Sequence, residues 1–457
     1  MKNDFSKGNV VQNILKLAFP MTIAQLINVL YNVVDRIYIG KLSENATLSL
    51  TGIGLALPII TLVSAFANLF GMGGAPLCSI ARGKGDNEEA EYIMGNSFFL
   101  LLCSGMILTL LGLIFKEPML YLFGASKETY PYAESYISIY LIGSLFVMIG
   151  LGMNSFINAQ GFGKTGMLTI LLGAVVNMIL DPIFIFTLNM GVSGAAIATV
   201  ISQGLSALWV LRFLTGKKAI LKLTTKCFKL KWQRVKKIIG LGLAGFIMAV
   251  TNGSVQIVCN ATLKSYGGDL YVGVMTIINT IREVIMMPVT GITNGAQPVI
   301  GYNYGAKAYD RVKKAIQFMT ISCILYTLLS WWLIHQFPSF FVHLFNSEIP
   351  LVEATVSALK IYFFGFFMMA FQFAGQSTFV ALGKSKQAIF FSLLRKAIIV
   401  IPLTLWLPRI RNMGVNGVFL AEPLSNFVGG LACFITMYFT VSYELKRTSG
   451  DRCEVKA

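Results

Sequence analysis

Apolar residues in this chain come in unbroken runs of about twenty, the length an α-helix needs to cross a bilayer, rather than in amphipathic stripes or strand-like alternation. Twelve such runs are visible, at 14–39, 48–76, 93–115, 132–158, 166–187, 191–214, 238–264, 270–300, 316–337, 354–381, 387–407 and 414–443. Short polar stretches separate them. The pattern predicts an all-α polytopic membrane protein with twelve transmembrane helices in two pseudo-symmetric six-helix bundles. The first run, Ile14 to Gly40, is too long for the apolar core of a cleavable leader and is expected to stay as a helix.

The two bundles follow from an internal repeat. Asn189-Met190-Gly191-Val192-Ser193-Gly194 returns as Asn412-Met413-Gly414-Val415-Asn416-Gly417, 223 residues later. Gly73, Pro76 and Gly83 return as Gly295, Pro298 and Gly305, and Ala159 and Gly161 as Ala381 and Gly383, each 222 residues later. Each half holds six spans, an even number, so both halves begin on the same face and the repeat is parallel, as in transporters built on an axis along the membrane normal. The expected organisation is a first lobe at 1–214, a basic linker at 215–237, a second lobe at 238–443 and a tail at 444–457. Pro20, Pro58, Pro182, Pro288, Pro402 and Pro423 fall in or near spans, where proline kinks a helix and frees a carbonyl.

A net charge of +17 would point to a polyanion partner in a soluble protein, so the placement of the charges matters. With the amino terminus in the cytoplasm, connections on that side and both tails carry about 26 of the 37 Lys and Arg, against about 6 opposite. The charge therefore reports orientation, with both termini cytoplasmic and a bacterial inner (plasma) membrane expected, and no nucleic-acid partner. Its densest part, Arg212 to Lys237, has ten basic residues and no acid, and is expected to lie against anionic lipid heads. The seven Cys form no C-x-x-C pair, and His335 and His343 have no acidic or thiol cluster beside them in sequence. No disulfide framework, structural metal or cofactor is expected.

Ionisable groups inside a bilayer are costly, which makes their positions the best functional pointers. Tyr31 and Asp35 in span one, and Asn177 and Asp181 in span five, are each four residues apart and share a helix face. Thr199 lies in span six. Counting rise along each helix puts Asp35, Asp181 and Thr199 in the outer half of the bilayer, at depths that let them meet. The positions equivalent to Asp35, Asn177 and Asp181 in the second half are Ile257, Ile399 and Leu403, so only one half holds the acids. Thr199 corresponds to Glu422. The second half offers Arg282 and Glu283 in span eight and Arg395 with Lys396 in span eleven. Arg282, Glu283, Gln256, Gln372 and Glu422 are candidates for polar positions in a central cavity.

Tyr31, Asp35, Asn177 and Asp181 sit in segments that, together with others, resemble the multidrug and toxic compound extrusion (MATE) family along nearly the whole chain. They are Leu17-Ala18-Phe19-Pro20, Leu30-Tyr31-Asn32-Val33-Val34-Asp35, Asn158-Ala159-Gln160-Gly161, Asn177 through Phe186, Gly295-Ala296-Gln297-Pro298 and Tyr302-Asn303-Tyr304-Gly305-Ala306. The DinF-like branch is the most similar. That resemblance implies a V-shaped pair of lobes, and a cation-coupling cluster that maps here onto Tyr31, Asp35, Asn177, Asp181 and Thr199. It further implies efflux of organic cations and amphipathic drugs in exchange for H⁺ or Na⁺, by a protein expected to act as a monomer among membrane lipids. The sodium site of the NorM-like branch uses acids in spans seven and ten, where this chain has Asn252, Gln256, Gln372 and Gln376 instead.

In the expected mechanism Asp35 and Asp181 take up protons, since two carboxyls close together in a dry site resist being ionised at once. Oxygens of Asn177, Thr199 and Tyr31 would equally suit a Na⁺ shell. Met and Phe side chains offer adaptable contact with amphipathic ligands in an apolar cavity.

Among rival transporters, a major-facilitator antiporter expects a G-x-x-x-D-x-x-G-R-[RK] turn that Ala81 to Asp86 does not supply. The alternative reading is a lipid-linked oligosaccharide flippase of the same broad superfamily, for which Arg282, Arg395 and Lys396 would provide a cationic cavity. No enzyme is expected, because there is neither an H-E-x-x-H zinc motif nor a nucleophile elbow. Gly161-Phe162-Gly163-Lys164-Thr165 lacks the first glycine of a phosphate loop.

Overall fold

The computed structural model describes residues 3–40, 46–345 and 348–454. Among these, ten helices are long and apolar enough to cross a membrane. The first six are α1 (Val10–Gly40), α2 (Ala46–Gly83), α3 (Asn87–Leu122), α4 (Tyr130–Ala159), α5 (Gly163–Pro182) and α6 (Gly191–Thr215). After them comes α7 (Trp232–Gly305), whose 74 residues would extend over about 110 Å if straight, far more than one bilayer. Gly268, at φ +71°, interrupts it, so α7 is two spans joined by a break.

The chain continues through α8 (Tyr309–Gln336), short α9 (Pro338–His343), α10 (Ile349–Tyr362), α11 (Met369–Ala381), α12 (Ser385–Leu393), α13 (Ile401–Trp406) and α14 (Val415–Glu454). Helices α10 and α11 form one broken span with a 49° bend. Gly365 makes that bend: its φ is +67°, and a Cβ there would lie 2.2 Å from the Phe427 ring. Residues Leu394–Val400 wind as a π-helix between α12 and α13. Resolved in this way, the helices account for twelve spans.

They divide into two compact units. The first comprises the residues up to Phe5 and Phe19–Gly242; the second comprises Ser6–Ala18 and everything from Leu243. The first division falls inside α1, beside Pro20, so the opening turns of that helix belong with the second half of the chain. There, Arg311 donates from Nη1 to the Gly8 carbonyl at 2.9 Å.

Within the first unit α2 packs along α4, α4 along α6, α3 against α2 and α4, and α5 against α6. Small residues allow the close approach: a Cβ on Gly71 would sit 2.5 Å from the Gly152 carbonyl oxygen.

The basic stretch expected as a separate linker is packed onto the first unit. Asn96 donates to the carbonyls of Cys227 and Lys229, both at 3.0 Å. Gln160 accepts from the amides of Ile220 and Leu221, at 2.8 and 2.9 Å. Arg234 meets Glu89 at 2.6 Å in a forked ion pair. Polar side chains of α3 and of the residue that caps the end of α4 thereby satisfy backbone groups of a segment that has little secondary structure of its own.

In the second unit α14 is the central helix, packed along α11 and against α10, α13 and the π-helical turn, while α8 packs on α11.

Candidate functional site

The first unit gathers all five residues of the expected coupling cluster. Asn177 is the hinge of the arrangement: its Nδ2 donates to Asp181 Oδ1 at 3.2 Å and to Thr199 Oγ1 at 3.4 Å, tying α5 to α6. Asn177 and Asp181 are wholly buried, and Asp35 and Thr199 nearly so. The Asp35 carboxyl, from α1, approaches that of Asp181. Tyr31 lies one turn before Asp35 and brings its hydroxyl towards Thr199.

The local backbone follows from Pro182. Proline has no amide N–H and its ring displaces the carbonyl four residues earlier, so the α-helix cannot run through it undisturbed. Residues Ile183–Thr187 wind as a π-helix, with Leu188 N bonded to the Ile183 carbonyl at 2.9 Å. Such wide turns often mark functional positions. Asp181 thus stands at the last ordinary turn of α5, beside a local rearrangement of the ladder.

Two acceptor atoms in the cluster, Asn177 Oδ1 and Asp181 Oδ2, are buried and receive no hydrogen bond. A buried acceptor without a donor costs free energy on the order of 1–3 kcal/mol, so both call for something positive. A proton on one of the facing carboxyls would supply a donor. A small hard cation would be met by oxygen alone, from two carboxyls, an amide carbonyl and hydroxyls, which is the donor set such ions prefer. The cluster therefore suits either a proton or Na⁺.

Tyr136 and Tyr140 belong to the same cluster although sequence reasoning missed them. Both are buried on α4 with their rings stacked, centroids 6.2 Å apart, and Tyr136 directs its hydroxyl towards Thr199 and lies near Asp35. Their i, i+4 spacing is the one that drew attention to Tyr31 with Asp35 and to Asn177 with Asp181, and it was the available signal.

The polar candidates of the second half separate. Arg282 and Glu422 come together at 3.5 Å, with Arg395 and Lys396 at 3.0 and 2.8 Å from the same Glu422 oxygen. Gln372 is buried elsewhere, donating to Gln376 Oε1 at 3.0 Å and to the Phe391 carbonyl at 3.3 Å, while Gln376 donates to Ser392. Gln256 and Glu283 are exposed. Adjacent Arg282 and Glu283 point different ways, as neighbours on one helix must.

Comparison with known proteins adds a second kind of observation. The family model MatE matches residues 20–183 and 245–406, one match in each half. The multidrug export protein MepA of Staphylococcus haemolyticus is 26% identical over 446 residues, covering 97% of this chain and 96% of its own length. MepA of Staphylococcus aureus is 26% identical over 438 residues, covering 95% of each. A crystal structure of MATE in the bent conformation superposes with a TM-score of 0.91 over 97% of this chain and 98% of that one, at 24% identity.

Proposed function

This chain belongs to the MatE family of membrane transporters, and on that premise we propose that it is a secondary-active antiporter exporting organic cations and amphipathic drugs in exchange for H⁺. The observation that carries the coupling assignment is the meeting of Asp35 and Asp181 beside acceptor atoms that lack a donor. The names of the two staphylococcal relatives support the drug-export reading.

In this reading the cluster alternates between two charge states. With a proton on the carboxyl pair, one carboxyl donates to the other, and α1 and α5 can approach closely. With the proton gone, the two carboxylates repel across a low-dielectric gap and α1 moves away from α5. Asn177 keeps its place in both states, because its Nδ2 can donate to a carboxyl oxygen and donates more strongly to a carboxylate. Tyr31, Tyr136 and Thr199 supply hydroxyls that reorient as the proton comes and goes. Alternating access couples this change to release of the exported compound outside and reset by an incoming proton. Both termini face the cytoplasm of a plasma membrane, the orientation favoured by basic connections on that side.

The test is efflux from proteoliposomes of a fluorescent organic cation, with a pH gradient and a Na⁺ gradient imposed separately. Export by wild type under the pH gradient, with loss in Asp35→Asn and Asp181→Asn, is the expected result. Export driven only by Na⁺ would reassign the ion while keeping the site. Wild-type rates in both variants would refute the coupling assignment.

A further inference from the structure

The polar interior of the second unit corresponds to that of the first but carries the opposite charge. Glu422, the hub of the second cluster, is the repeat counterpart of Thr199, and buried Tyr362 is the counterpart of Tyr140. Where the first unit places two carboxyls around this position, the second places three cations: Arg282 from α7, and Arg395 and Lys396 from the π-helical turn. Arg395, Lys396 and Glu422 are about 5% exposed or less, so these charges are buried within the unit. The Arg282 side chain, 24% exposed, forms the open edge.

One carboxylate does not balance three cations. Glu422 Oε1 accepts from Arg282 at 3.5 Å, Arg395 at 3.0 Å and Lys396 at 2.8 Å, and Lys396 also reaches Oε2 at 3.0 Å. Arg395 has a further bond, to Asn426 Oδ1 at 2.8 Å. Buried charge without a counter-charge is costly, and more so at membrane depth. Among the described residues both guanidiniums bond through Nη1 alone, leaving the Nε and Nη2 atoms of each without a hydrogen-bond partner. A guanidinium offers five donors in a planar fork that suits a carboxylate held by two parallel bonds. Glu422 itself shows that a carboxylate fits among these side chains.

We propose that this cluster is a binding site for an anionic group, specifically the carboxylate of a zwitterionic or anionic amphipathic substrate. The inference rests on the exporter reading above and deepens it by naming the side chains of the second unit that would receive a carboxylate borne by a substrate. Arg282, at the open edge, meets the incoming group. Arg395 orients it from within, and Lys396 stays paired with Glu422. The site thereby gives the second unit a recognition role, whereas ion coupling belongs to the first.

Two dyes that share a scaffold and differ in one group test this: rhodamine B, which carries a free carboxylate, and its ethyl ester, which does not. Their binding to the full-length protein in lipid nanodiscs is followed by fluorescence anisotropy for wild type, Arg395→Gln and Arg282→Gln. The expected result is that wild type prefers rhodamine B, and that either substitution weakens rhodamine B by about tenfold while leaving the ester within about twofold. The ester is the internal control for folding, and Arg282→Gln, at the edge, disturbs packing least. Displacement of rhodamine B by benzoate would show that a free carboxylate also fits, and displacement only by carboxylated amphiphiles would restrict the site to substrate-borne groups; both support the assignment. Equal weakening of both dyes, or no preference in wild type, would overturn it and leave the cluster a helix-joining ion-pair web. Failure of the exporter reading would look different, since the ester would then be neither bound nor exported.

Discussion

Replacing Glu422 by Gln preserves the shape of the second cluster and removes its only carboxylate. Four hydrogen bonds from three cations converge on that group, two of them from the fully buried Lys396. The Gln side chain offers a single neutral acceptor oxygen and presents an NH₂ to donors that need an acceptor. Breaking a buried ion pair by removing one partner costs about 3–5 kcal/mol, because the remaining charge is left buried and unpaired. Against a typical total stability of about 5–15 kcal/mol, such a loss is severe.

The chain's five Trp give an intrinsic fluorescence signal for unfolding in mixed micelles of increasing SDS. Glu422→Gln is expected to lose about 3–5 kcal/mol in that titration. Lys396→Met alone is expected to lose less, since Glu422 keeps both arginines. The double variant should recover part of the Glu422→Gln loss, because Lys396 is then no longer stranded, which gives a measurable coupling between the sites. A Glu422→Gln protein within about 0.5 kcal/mol of wild type, or strictly additive single changes, would refute the view that this carboxylate neutralises the cluster.

Other expectations follow from separate parts of the molecule. Asn96→Ala removes the bonds that hold the Cys227 and Lys229 carbonyls, at a cost of about 1–3 kcal/mol, and limited trypsin digestion should cut near Lys226 to Lys231 several times faster; unchanged cutting would show that the segment is held by other means. Gly365→Ala should lower the unfolding midpoint by the equivalent of about 1–2 kcal/mol or more, since a left-handed φ and contact with Phe427 both oppose a side chain. Adding Phe427→Ala should restore only part of the loss, and full restoration would assign the whole effect to the ring. Tyr136→Phe keeps the ring stack with Tyr140 and deletes the hydroxyl near Thr199. Proton-driven export should fall at least severalfold while protein yield and unfolding midpoint stay near wild type, and an unchanged export rate would remove Tyr136 from the coupling cluster.

The twelve spans and the duplication were legible because bilayer thickness fixes run length and because repeated turns such as Asn189 to Gly194 keep their residues. The buried polar cluster of the first unit was legible for a related reason. Carboxyls such as Asp35 and Asp181 are expensive at membrane depth, so each one stands out against its apolar run. Tyr136 and Tyr140 did not, since a tyrosine costs little in a helix and the chain has many. Other features depended on a single backbone angle or on contact between residues distant in sequence. The near-continuity of spans seven and eight turns on the single residue Gly268. Docking of residues 215–237 depends on Asn96 and Gln160, distant in sequence, and lone polar residues on otherwise apolar helices do not announce a backbone partner. The sharing of α1 between the two units falls beside Pro20, within a continuous helix, and nothing local distinguishes Pro20 from the other prolines in spans. In the second half, Arg282, Arg395, Lys396 and Glu422 were each visible, yet their convergence on one carboxylate was set by packing of α14 against the π-helical turn.

Proton release on substrate binding tests the central claim most directly. Purified protein in weakly buffered detergent solution, with a pH-sensitive dye, is mixed with tetraphenylphosphonium as the organic cation. Wild type should acidify the solution as the cation binds, Asp35→Asn and Asp181→Asn should release far less, and exchanging K⁺ for Na⁺ should leave the wild-type signal unchanged. Equal release from the doubly substituted protein, or cation binding by wild type with no proton released, would contradict the assignment of the Asp35 and Asp181 pair as the site of proton coupling.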